Sequence, residues 1–293
     1  MNRTVLICSS VATAGLLAAA AFVIAGPINP PAGPVASTYK TLSEVEPRVA
    51  MSQATTPGDP NSIFKITQPG SYYLTGNVDV SAFEHGIEIS LTADGTVTID
   101  LNGFLLVGRE DSLNGIDVEG PFQPRVVVRN GHIMTMSGNG IDMTGTESAT
   151  IENVECSRNS GRGFVVGTAT LTDCKAKFNS LGGFQSGVFS HFARCHADTT
   201  GPIGFETDDD CILTDCSAKG CTGDGFDVEY QCVLNNCVAT NNAGNGIITL
   251  LGCSLTNCTS SNNGEAGISM NQSCTVIGCT AMDNAAWGIT SGG

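Results

Sequence analysis

The chain has 293 residues, of which 41% are apolar, 36 are glycine, 6% are aromatic and only 14% are charged, so it can bury a sizeable core but not one made of large amphipathic helical faces. Thirteen Lys and Arg against 28 Asp and Glu give a formal net charge of −15. That balance excludes nucleic acid as a partner, because tracking phosphates needs a clustered positive surface.

Residues 1–25 read as a signal peptide: Arg3 precedes a nearly uncharged run from Val5 to Ala25. Ser, Thr and Gly dilute the run, which favours a cleaved leader over a membrane anchor. No later segment is long and apolar enough to span a bilayer. The expected product is secreted, on the cell surface or periplasmic, with no stable membrane span after cleavage. Residues 26–60, opening "GPINPPAGPVASTYK", read as a Pro/Gly-rich linker and N-terminal segment, with a short amphipathic helix expected around Thr41 to Met51. From 61 to 293 the text turns to β-branched runs such as "FKITQPGSYYLTGNVDV", where Pro69-Gly70 turns between two strands.

Internal repetition decides the fold class. The apolar residue of a Gly-Phe or Gly-Ile step recurs at Phe164, Phe184, Phe205, Phe226, Ile247, Ile268 and Ile289, with looser copies at Ile87, Ile116 and Ile141. Ten residues earlier stands a column of Cys174, Cys195, Cys216, Cys237, Cys258 and Cys279. Two further along it is followed by Ala176, Ala197, Ala218, Ala239, Ser260 and Ala281. Each repeat holds three short pieces of period-two alternation separated by polar corners, and Gly and Asn at those corners leave no room for helices. The prediction is an all-β chain: a single parallel β-helix of about ten rungs with three short strands per rung, in which the stack supplies the core that one rung cannot.

The segments "VTIDLNGFLLVG" and "VVVRNGHI", followed by "C-x-A-x-x-N" and "G-[FI]" rungs, resemble bacterial secreted right-handed parallel β-helix repeat proteins of the pectin-lyase-like superfold, from about Ile63 onwards. The resemblance implies a right-handed solenoid. It implies no single activity, since that superfold hosts lyases, hydrolases, esterases, epimerases and non-catalytic adhesins. The hydrolase pattern of Asn-x-Asp, Asp-Asp, Gly-His-Gly and Arg-x-Lys is absent, as are the tryptophan-bearing pectate lyase motifs. No catalytic residue carries over.

Twelve cysteines follow the signal. Neighbouring inward cysteines across a corner are expected to lie beyond the ~7 Å Cα limit for a bridge, and stacked ones point in parallel. They read as buried thiols acting as small hydrophobes, with a disulfide ladder as the alternative. Cys221 falls in a corner column with Asn159, Asn179, Thr200, Asn242, Asn263 and Asn284, and reads as an exposed, reactive thiol. The asparagines of that column read as a turn ladder, because Asn tolerates left-handed backbone and its amide bonds along the axis.

Chemistry is expected on the outward positions. Glu206, Asp208, Asp227 and Glu229 form a square of carboxylates, with stacked neighbours about 4.8 Å apart. They are the candidate substrate-binding or catalytic residues. Asp208, Asp209, Asp210 and Glu229 are candidate ligands for calcium, a hard cation that takes several carboxylate oxygens. Arg162 lies at the edge of the same strand position but two rungs from Glu206. Lys175, Lys177, His196 and Lys219 cluster on another face, and His85, His132 and His191 have no assigned partners. The last rung, "AAWGITSGG", exposes strand edges, so Trp287 blunts it or another molecule covers it, and end-to-end self-association follows as an expectation. The functional reading is an extracellular or cell-surface protein that binds polysaccharide or a cell-envelope component, or serves a structural envelope role. The alternative is a calcium-assisted polysaccharide lyase or glycoside hydrolase.

Overall fold

The computed structural model describes residues 48–292. The proposed signal peptide and most of the linker segment lie outside them. The described residues contain strands and turns but no helix. Where the amphipathic helix was expected, Val49–Ala50 is a short strand that pairs in parallel with Gly70–Tyr73, and residues 41–47 fall outside the description. Arg48 explains the strand: it pairs with Asp100 at 3.1 Å and stacks on the Tyr73 ring, holding the entering chain against the first rungs. Ladder pairing therefore begins inside the segment read as a linker.

The strands form a 12-stranded and a 19-stranded sheet, parallel throughout except for the hairpin of Pro57–Asp59 with Ser62–Ile66. One rung shows the plan: Ala169–Thr172 and Lys175–Lys177 belong to the larger sheet and Gly182–Ser186 to the smaller. Three strands per rung is thus correct. The smaller sheet adds the two strands of that hairpin to the ten copies read from the repeat, with Phe64 beside Ile87.

In the later rungs three corners are left-handed, and each forms a column. Asn153, Asp173, Arg194, Asp215, Asn236 and Asn257 make one, and Arg158, Phe178, Thr199, Asn241, Asn262 and Asp283 another. The third passes through Phe189, Asp210, Gln231 and Ser273. The ladder asparagines do not adopt this conformation themselves, contrary to the sequence reading. Each sits one residue later with its side chain turned inward, and Asn159, Asn179, Asn242 and Asn263 are buried. Asn179 Oδ1 accepts from both the backbone N and Nδ2 of Asn159 at 3.0 and 2.9 Å, and Asn263 Oδ1 does the same for Asn242 at 3.0 Å. Satisfying buried turn amides rung by rung is what fixes Asn there.

Ten of the cysteines occupy the equivalent positions after the other two corners, while Cys221 takes a place in the asparagine column and Cys156 lies within a strand. All twelve among the described residues are free thiols, ten of them buried. They do more than fill space, since Cys195, Cys237 and Cys258 donate to the carbonyls of Leu171, Leu213 and Leu234 at 3.4 to 3.6 Å. Cys221 corrects the reading of an exposed thiol. It is only 2% exposed, contacts Thr200 Oγ1 at 3.5 Å and gives its backbone N–H to Asn242 Oδ1 at 3.0 Å. Burial pushes its thiol, and those of Cys156 and Cys195, above the ordinary value, so these sulfurs stay protonated and unreactive.

Phe164, Phe184, Phe205 and Phe226 stack with centroids 4.6 to 4.8 Å apart, and Phe192 packs edge-on against Phe184 and Phe205 at 5.8 Å. Truncating one such ring in a close-packed interior costs about 3–5 kcal/mol. The glycine before each ring permits this packing: a Cβ on Gly204 would meet the carbonyl oxygen of Gly225 at 2.5 Å and Ala218 Cβ at 2.9 Å.

Candidate functional site

Alternate residues of the smaller sheet point away from this core. Ladder register sets one outward column as Lys65, Glu88, Asp117, Asp142, Val165, Gln185, Glu206 and Asp227, ending in Ile248, Ser269 and Thr290. Two residues further along each rung runs the second column, with Glu119, Thr144, Gly167, Gly187, Asp208 and Glu229. Glu206 therefore stacks beside Asp227, and Asp208 and Glu229 follow the pair Thr207 and Val228.

Two acids of this group, Asp208 and Asp227, are raised by burial first and by like charge second. Burial pushes the Asp227 carboxyl above its usual range, with Asp224, Glu206 and Glu229 adding to the rise. Asp208 rises through burial, then through Asp209 and Glu206. Asp209 and Asp210 belong to the corner instead: Asp210 has φ 57°, and Asp209 Oδ1 accepts the Tyr230 backbone N–H at 3.3 Å. Among the described residues, Asp208, Asp209, Asp210 and Glu229 do not converge as metal ligands. The group of such side chains whose ligand atoms lie within 4.8 Å of one another is His85, Asp117 and Glu119.

Arg162 reaches Glu206 across two rungs and forms an ion pair through Nη2. The position between them is Gly182, and a Cβ there would stand 2.9 Å from Arg162 Nη1. The missing side chain leaves room for the guanidinium beside it. Nη1 itself is buried without a hydrogen-bond partner.

Gly167 and Gly187 leave a gap in the second column between Thr144 and Asp208. With Val165 and Gln185 beside them, these residues line an open depression of about 270 Å³. Carboxylates flank it on both sides along the axis, with Asp142 before and Glu206, Asp208 and Asp227 after.

The acids before the depression have partners that the sequence reading missed. Glu88 is 2% exposed and pairs with Lys65 at 2.5 Å, and Lys65 also pairs with Asp59 at 2.7 Å. Asn114 Nδ2 donates to Asp117 at 2.6 Å, and Asn139 Nδ2 to Asp142 at 3.1 Å. Those asparagines also form an edge ladder, accepting the backbone N–H of Asn139 and Arg162 at 2.7 and 2.8 Å. His85 holds the same place one rung earlier, with Nδ1 accepting from Asn114 N at 3.2 Å. A signal was present: "HGIE" at 85–88, "NGID" at 114–117 and 139–142, and "DGFD" at 224–227 repeat a polar edge residue three before an outward acid.

On the outer face of the larger sheet, the basic group is interrupted. Lys177 pairs with Glu155 at 3.0 Å, and Asp198 stands between Lys177 and Lys219 in the ladder. His132 Nε2 meets Ser157 Oγ and His196 Nδ1 meets Ser217 Oγ, both at 2.7 Å. Burial lowers the affinity of both rings for a second proton.

Residues 114–256 match the family model described as a right handed beta helix region. No curated protein matches by sequence. Among solved structures, the chain is similar to the catalytic domain of Agl-KA at 11% identity and TM-score 0.42, covering 84% of this chain and 62% of that one. It is similar to the periplasmic alginate epimerase AlgG at 8% identity and TM-score 0.39, covering 84% of both chains. The A-module of the Azotobacter vinelandii mannuronan C-5 epimerase AlgE4 resembles it at 12% identity and TM-score 0.33, over 76% of this chain and 88% of that one. At these values neither activity nor site residues transfer.

Proposed function

The chain being a right-handed parallel β-helix repeat protein, we propose that it acts outside the cytoplasm as a polysaccharide-binding protein, with the glycan lying in the depression floored by Gly167 and Gly187. That depression is the observation that carries the reading. Two successive outward positions without side chains, Gly167 and Gly187, give a sugar ring close access to the sheet, while Thr144, Gln185 and Asp208 offer hydroxyl partners at its rim. Carboxylates on both flanks repel a polyanion, so a neutral glycan is the ligand. Export rests on the signal-like segment of residues 1–25. Among the described residues no helix is long and apolar enough to cross a membrane.

The test is calorimetric titration with soluble neutral polysaccharides and with polyuronates, using the chain and its Gly187→Gln variant. Gly187 has ordinary backbone angles, and an added Cβ meets nothing nearer than 3.5 Å, so the variant folds and fills the groove. Neutral-glycan binding lost in Gly187→Gln supports the reading. Binding that survives it unchanged refutes this location.

A second reading has its own support in the raised carboxyls of Asp208 and Asp227 beside the cation-paired Glu206. Such a set suits acid and base chemistry at a glycosidic bond, or a lyase step in which calcium arrives with the substrate. Assays for new reducing ends and for unsaturated, ultraviolet-absorbing ends, with and without calcium, decide it. Turnover abolished by Asp227→Asn establishes the enzyme, and binding without product removes it.

A further inference from the structure

A different group on the same sheet lies towards the first rungs. His85 opens the strand His85–Ile89, and Asp117 and Glu119 are the two outward residues of the next rung. His85 and Asp117 are each only 8% exposed, and Glu119 is open to solvent. His85 Nδ1 and Asp117 Oδ1 stand 3.9 Å apart.

Charge around this group is uncompensated. Below it, Glu88 is neutralised by Lys65. Asp117 has only the Asn114 amide and the His85 ring, and among the described residues no Lys or Arg lies within ion-pair distance of it. Asp117 is buried, and its charged neighbours Glu119 and Asp142 are both acids. A buried acid facing two others calls for a positive charge that the chain does not supply.

We propose that His85, Asp117 and Glu119 bind a divalent transition cation of the zinc or cobalt class. One imidazole nitrogen with two carboxylates is a borderline donor set, suited to such ions, whereas calcium takes six to eight oxygens. Three protein ligands leave room for water, and a cavity of about 420 Å³ that shares His85 and Asn114, and is also lined by Asp111 and Ser112, gives the ion its way in. At His85 the ion takes over the Nδ1 lone pair that accepts the Asn114 N–H.

The test uses the full chain with cobalt(II), followed by its visible absorption, and with zinc(II), followed by calorimetry and thermal unfolding. One equivalent is expected, with a nitrogen and oxygen ligand-field spectrum and a zinc-dependent rise in unfolding temperature. His85→Ala and Glu119→Gln should each weaken binding at least tenfold, and Asp208→Asn should leave it unchanged. Glu119 is exposed, so its variant tests the site without disturbing packing. No binding, binding untouched by both variants, or a thiolate-to-cobalt charge-transfer band would overturn the proposal.

Discussion

Glu88 and Asp227 occupy the same outward column of the same sheet, yet the molecule treats their charges in opposite ways. Glu88 is almost fully buried and meets Lys65, which also anchors Asp59. Asp227 has like-charged neighbours on three sides and no cation within ion-pair distance among the described residues, and its carboxyl is raised. Between them, Asp117 and Asp142 rely on asparagine amides, and Glu206 borrows Arg162 from two rungs away. A parallel stack puts outward acids in repulsive contact, and each rung must answer that locally. Where the answer is a cation of the chain the acid is structural, and where no cation answers it the acid is available for a ligand.

Removing the lysine should break the contrast most severely. Lys65→Met leaves Glu88 buried without a counter-charge and should lose about 3 kcal/mol in chemical denaturation, as for other broken buried pairs. It should also alter acid sensitivity. The hydrogen bond from Lys65 leads the causes that hold Asp59 down to about 2, against an ordinary 3.8. A depressed carboxyl contributes its stability above 3.8 and loses it as pH falls through about 2, so that acid-side loss should shrink in the variant. Gly182→Ala comes next, at about 1–2 kcal/mol, because the position has φ 138° and its new Cβ displaces the Arg162 guanidinium. Arg162→Met should cost no more than about 1 kcal/mol, since the Glu206 side chain is 34% exposed and its pair is partly screened. Asp227→Asn should have the smallest effect and the opposite sign, raising the unfolding temperature slightly at pH 7. Its raised carboxyl penalises the charged folded state, so the advantage of the variant should fade as pH falls through the folded pKa. An Asp227→Asn variant that unfolds at lower temperature would erase the distinction between the two ends of the column.

What was legible from sequence is what repeats. The inward columns pair as the spacing implied, from Phe164 beside Phe184 to Ile268 beside Ile289, because a rung that slips by one residue turns its core face outward. The acidic square was legible for the same reason. The corners were read one residue out of place: Asn179 follows the left-handed Phe178, and its amide faces inward. Cys221 was misread on that account, since a residue after the turn enters the core whatever its type. Arg162 and Glu206 could not be paired from spacing, because their contact depends on what Gly182 lacks. His85 was hidden by the uneven lengths of the early rungs, which obscure that its partners lie on the following rung.

The unbridged cysteine columns also bear on what happens when the fold is lost. In the native chain the sulfurs are sealed by burial and by their carbonyl contacts, so thiol reagents and mild oxidants should find few targets. In the unfolded chain every one of them is exposed together, close in sequence and free to pair at random by air oxidation. Unfolding without reductant is therefore a one-way door: the chain should refold from denaturant when kept reduced, and become scrambled and aggregated when it is not. Its persistence in an oxidising setting is then governed by how rarely the stack opens, a matter of rate and not of equilibrium.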